Sequence, residues 1–167
     1  NFYLYKDNPV FNAYISLAPE MAPEMETRVA DRLAKISKPI YYYQATGEGD
    51  LPEINEAATT LDANIKAIPS PTFKYQNDTF QNASHYSLVT KAIPSALYFI
   101  FDGYQPISML EFQKKIVTLD SGYTDYLVQK YDNLNTRLGL QMKPRLSDFK
   151  AIEAAIMKNK AYGEFQT

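Results

Sequence analysis

Hydrophobic positions along the first hundred residues switch repeatedly between two periods, and the switches mark out the elements. Residues 11–17 form a short run that predicts a buried strand, closed by Ala18-Pro19. In residues 23–36, Met25, Val29, Leu33 and Ile36 fall at helical spacing and define one face of a helix. Pro39 then opens Ile40-Tyr41-Tyr42-Tyr43-Gln44-Ala45-Thr46, a strand bounded by the loop Gly47-Glu48-Gly49-Asp50. A second helix is expected over 53–66, with Ile54, Ala58, Leu61 and Ile65 on one side and Pro69 and Pro71 ending it. A third strand follows over 72–80 and an apolar helix over 88–101. Strands alternating with helices predict parallel strands joined by right-handed helical crossovers. Ahead of them, residues 1–6 read as the last turns of a helix stopped by Asp7-Asn8-Pro9. The expectation is therefore a piece of a longer protein.

After Gly103 the pattern becomes purely helical. Met109, Phe112, Ile116 and Leu119 predict one helix, and Tyr123, Leu127, Tyr131, Leu134 and Leu138 a second with Gly139 as its C-cap. A third should start with Ser147 as N-cap and bury Phe149, Ile152 and Ile156, and residues 159–167 could begin a fourth. The expected class is α/β: a partial parallel sheet with flanking helices over 1–103, then an all-helical extension over 104–167 that resembles the start of helical repeats.

Composition narrows the chemistry. The chain has 167 residues and a net charge of −2, with no concentrated basic patch to hold nucleic acid and no apolar stretch long enough to span a bilayer. It has no cysteine, which excludes disulfides, zinc-thiolate sites and thiol nucleophiles. One histidine without a second beside it gives no metal-ligand spacing, so neither a metal nor another cofactor is expected. The compartment stays open, with a periplasmic or secreted location slightly favoured. Fourteen tyrosines suit half-buried strands and clefts.

That histidine, His85, lies in the loop Asn82-Ala83-Ser84-His85-Tyr86-Ser87, between a strand and a helix. A lone loop histidine is most often a polar surface residue, yet imidazole is also the side chain best suited to move protons near neutrality. Open α/β sheets gather function at the carboxyl ends of their strands. The Gly47–Asp50 loop ends one such strand and the His85 loop the next. Neighbouring strands lie about 5 Å apart, so Asp50 or Glu48 can reach the imidazole and orient it; the alternative is that both carboxylates only solvate a turn. Asp50, further into the loop, is the better placed. Tyr86, next to His85, is a candidate lining for a substrate pocket. Ser16, Ser84 and Ser87 sit on no strand-turn-helix elbow, so none is expected to be a nucleophile.

Two segments carry a family resemblance: Asn8-Pro9-Val10-Phe11-Asn12-Ala13-Tyr14-Ile15-Ser16-Leu17-Ala18-Pro19 and Ala83-Ser84-His85-Tyr86-Ser87-Leu88-Val89. They resemble the C-terminal half of the α/β-hydrolases related to esterase D and the enterochelin esterases, whose catalytic histidine the His85 loop would carry. Ala18 stands where serine is common in that family. The resemblance implies a serine-type hydrolase of carboxylic esters, with His85 as base and Asp50 or Glu48 as the acid. No Gly-x-Ser-x-Gly elbow occurs, the six glycines being 47, 49, 103, 122, 139 and 163. The nucleophile and oxyanion hole would precede Asn1, the chain alone would be inactive, and its partners would be a small-molecule ester and the missing N-terminal half or a second copy. The rival reading is a non-catalytic α/β binding module, or a helical protein–protein interaction module. A His85 ring within hydrogen-bond range of Asp50 or Glu48 favours the hydrolase; loops on opposite sheet edges would exclude it.

Overall fold

The computed structural model describes residues 2–69 and 72–166, so Pro71, expected to help end the second helix, lies outside the described residues, as do Asn1 and Thr167. The chain divides into two units, Asn1–Ile100 and Phe101–Thr167.

In the first unit, β1 (Ala13–Leu17), β2 (Tyr41–Gly49) and β3 (Lys74–Ser84) form a three-stranded parallel sheet in the order β1-β2-β3. α1 (Met25–Ala34), α2 (Pro52–Lys66) and α3 (Leu88–Ile100) connect and follow the strands. The tyrosines of β2 show how the sheet is covered. Successive strand residues face opposite sides. Tyr42 accordingly joins Val29 and Leu33 of α1 and Leu61 and Ile65 of α2, whereas Tyr43 joins Leu88, Ala92 and Ala96 of α3. Helices on both faces leave β2 buried from Tyr41 to Gly47, so this stretch has no solvent-facing side.

Three boundaries differ from expectation. The opening turn, Phe2–Tyr5, is a 3₁₀ turn and not the end of an α-helix. Arg32 of α1 takes the carbonyls of Leu4 and Lys6, which a continuing helix would have used. The glycine loop is largely strand, because β2 runs through Gly47 and Glu48 to Gly49. β3 continues past Phe80 to Ser84, and pairing shifts register beside those glycines. Glycine is required there: a Cβ on Gly47 would stand 2.5 Å from the carbonyl oxygen of Ala83.

The second unit contains α4 (Met109–Glu111), which runs into a π-helical turn over Phe112–Ile116, then α5 (Tyr123–Leu138), α6 (Leu146–Asn159) and a final 3₁₀ turn, Tyr162–Gln166. Ile116, Tyr123, Leu127, Tyr131, Ile152 and Ile156 build its core. Gly139 closes α5 in the left-handed conformation, φ 65°. α6 begins at Leu146 after Arg145, which places Ser147 inside the first turn and not at the N-cap. Phe149 is 52% exposed, against expectation, and Asp148 is buried instead. Asp148 lies four residues before Ile152 and shares its stripe, leaving Phe149 at the stripe's outer edge. Among the described residues no helix is long and apolar enough to cross a membrane.

Candidate active site

The carboxyl end of β2 turns sharply into α2. Asp50 N–H donates to the Gly47 carbonyl at 3.1 Å, and Gly47 N–H donates to Asp50 Oδ2 at 2.6 Å, closing the turn from both sides. Pro52 sits in the first turn of α2, where its missing N–H costs nothing. One carboxylate oxygen of Asp50 is thereby fixed by main chain, and the other is left for a partner outside the turn.

That partner comes from β3. His85 follows the last residue of the strand, and its Nδ1 lies 2.9 Å from Asp50 Oδ1. The Asp50 side chain is fully buried, and the His85 ring is 48% exposed. An ionised carboxylate only accepts hydrogen bonds, so the Nδ1 of a neutral ring carries the proton and Nε2 keeps its lone pair. Among the described residues Nε2 has no hydrogen-bond partner. The loop behind the ring is tied by Ser84 and Ser87: the main-chain N–H of each donates to the hydroxyl of the other, at 2.8 and 3.2 Å. Tyr86 is 89% exposed and stands edge-on to the imidazole, ring centroids 5.6 Å apart.

Glu48 is turned elsewhere. Its Oε2 accepts from the main-chain N–H of Asn82 at 2.9 Å, and the acid that meets the ring is Asp50. The reason is local. Glu48 belongs to the extended strand, whereas Asp50 lies past it, where the closed turn aims its carboxylate across to the end of β3.

Sequence reasoning missed the polar layer within the sheet. Tyr43 O–H donates to Asp78 Oδ2 at 2.7 Å, and Gln76 Nε2 donates to the same oxygen at 2.9 Å. Burial, and then the bond to Asp78, hold the Tyr43 hydroxyl well above the ordinary tyrosine range, so it stays protonated and donates. Gln44 Nε2 donates to the Ala58 carbonyl at 2.8 Å. A tyrosine and a glutamine in the buried strand were the available signal, since buried polar side chains must find partners. No group of acidic or histidine side chains among the described residues could hold a metal ion.

No family model and no curated protein matches the chain. Two solved structures do. An uncharacterised protein from Capnocytophaga ochracea is 27% identical, with a TM-score of 0.82, over 98% of this chain and 46% of that one. An IroE-like serine hydrolase from Shewanella oneidensis is 16% identical, with a TM-score of 0.62, over 99% of this chain and 52% of that one. The fold is hydrolase-like. The chain spans about half the length of the solved structures it matches.

Proposed function

We propose that residues 1–167 contribute the base and the orienting acid of a serine hydrolase acting on carboxylic esters, in the manner of the esterase D and enterochelin-esterase-like enzymes. The observation that carries this reading is the bond of 2.9 Å between His85 Nδ1 and the buried carboxylate of Asp50, with Nε2 unengaged among the described residues. Both residues stand at the same edge of the parallel sheet, at the ends of adjacent strands. A binding module has no need of a buried acid behind a half-exposed imidazole, so this geometry favours the hydrolase over the interaction module.

In the proposed reaction a serine outside residues 1–167 attacks the ester carbonyl as His85 Nε2 takes its proton. Asp50 holds the ring and stabilises the imidazolium. The tetrahedral intermediate collapses by breaking the bond to the alcohol oxygen, which receives the proton from Nε2, and an acyl-serine remains. Water then attacks that acyl group while Nε2 takes the water proton. Carboxylic acid leaves, and the proton returns to the serine. Tyr86, exposed beside the ring, would line the leaving-group side.

Hydrolysis of p-nitrophenyl acetate and butyrate by the full-length protein tests the assignment. Wild type should turn over both esters, and His85→Ala should lose ~10³-fold or more in kcat/KM. Equal activity of His85→Ala and wild type would overturn it.

A further inference from the structure

The pairing of β2 with β3 contains an irregularity at the site. Gly47 is level with Phe80 and Gly49 with Ser84, so two steps along β2 match four along β3. Two extra residues are thus looped into β3 at Gln81-Asn82-Ala83, and Asn82 adopts φ 53°, a left-handed conformation that asparagine tolerates better than most residues. In an unbroken register Gly49 would stand level with Asn82 and Asp50 with Ala83. His85 would then overshoot Asp50 by two residues, about 7 Å of strand. The bulge is what brings the imidazole level with its acid.

Two charged side chains hold the bulged segment, and the ester-hydrolysis proposal uses neither. Glu48 Oε2 accepts the Asn82 N–H at 2.9 Å from the β2 side. Lys91, from α3, donates from Nζ to the carbonyls of Gln81 and Asn82 at 2.7 and 3.2 Å. Main-chain groups that the shifted ladder cannot pair therefore bond to a carboxylate on one side and an ammonium on the other. The glycines complete the device. A Cβ on Gly47 would stand 2.5 Å from the Ala83 carbonyl oxygen and one on Gly49 3.1 Å from it, so the close approach of β3 requires glycine at 47 and is tight at 49.

We infer that Glu48 and Lys91 are positioning residues that clamp the β3 bulge and thereby set His85 against Asp50. This inference rests on the hydrolase reading for its kinetic consequence, but its geometric content can be read without activity. The experiment uses the full-length protein and the variants Glu48→Ala, Glu48→Gln and Lys91→Met, with two readouts. One is kcat and KM for p-nitrophenyl acetate; the other is the share of the neutral His85 ring carrying its proton on Nδ1, from long-range ¹H–¹⁵N spectra. Glu48→Ala and Lys91→Met should each lower kcat about tenfold with KM within about twofold, as expected for a base displaced by a fraction of an ångström. Each should also lower the Nδ1–H share toward that of Asp50→Ala. Glu48→Gln keeps an acceptor for Asn82 and should recover most of both. An Nδ1–H share unchanged in Glu48→Ala and in Lys91→Met overturns the inference, whatever the kinetics. Equal losses in the Ala and Gln variants overturn it too. If His85→Ala itself leaves kcat unchanged, the hydrolase reading fails, and the ring spectra still decide the clamp.

Discussion

Among the described residues each unit buries one aspartate, and the two carboxylates are wired to opposite ends. Asp148, fully buried in the helical unit, accepts from Tyr131 O–H at 2.8 Å, from Ile107 N–H at 2.9 Å and from Ser147 at 3.2 Å. Every partner is a neutral donor held in place by helix or main chain. Asp50, equally hidden, gives one oxygen to Gly47 N–H and the other to an imidazole that is half in solvent. A buried charge needs donors to be tolerated at all. What separates the two sites is where the network ends: at Asp148 it closes inside the fold, and at Asp50 it ends in an imidazole that is half exposed to solvent. Burial of a carboxylate alone therefore says little about chemistry, and the exposure of its partner says much.

Substitutions can separate the two roles. The largest expected effect is on turnover, where His85→Ala costs ~10³-fold or more in kcat/KM. Asp50→Asn follows, at ~10²-fold or more, because the amide presents an N–H to Nδ1 and favours the wrong tautomer. Next comes Asp148→Ala, read as stability: urea unfolding of the second unit should show a loss of about 3 kcal/mol, since Tyr131 O–H is left buried and unpaired and the half-buried Ile107 N–H loses its acceptor. Asp50→Ala should destabilise the first unit less, by about 1–2 kcal/mol, because the His85 ring can return to water and only Gly47 N–H is orphaned. A stability loss at Asp50 as large as that at Asp148 would erase the distinction.

The smallest effect concerns alkaline pH. Burial first, and then a neighbouring carboxylate, raise the Tyr43 and Tyr75 hydroxyls in the first unit and Tyr126 in the second. A group whose value is raised on folding contributes stability below its unfolded value, about 10 for tyrosine, and that contribution fades as pH rises beyond it. Urea midpoints should hold up to about pH 9 and fall above about pH 10. Tyr43→Phe should flatten the fall in the first unit, and an unchanged slope in that variant would assign the fall to other groups.

Much of this arrangement was legible in the chain. The alternation of strand and helix periods marks the parallel sheet, and the lone histidine after a strand marks the sheet edge where it meets Asp50. Position in the loop favoured Asp50 over Glu48 without excluding Glu48, because the choice depends on a turn closed by Asp50 N–H on the Gly47 carbonyl and on where β3 ends. Strand length was underestimated for a related reason. Gly47 and Gly49 read as loop signals, yet here they admit the close approach of Ala83. In the helical unit, an apolar count favoured Phe149 as core. Asp148 was invisible to such a count, because its partner Tyr131 lies 17 residues away and Ile107 lies 41. Periodicity records which positions face inward, and it is silent on polar groups whose burial depends on distant donors.

On the proposed reading, Asp50 holds the His85 proton on Nδ1 and so leaves Nε2 free to act as a base. Long-range ¹H–¹⁵N correlation of the His85 ring in the full-length protein, at a pH where the ring is neutral, tests this most directly. Wild type should show a protonated Nδ1 and a bare Nε2, with the Nδ1–H form diminished in Asp50→Ala. A proton resident on Nε2 in wild type, or a spectrum unchanged by Asp50→Ala, would contradict it.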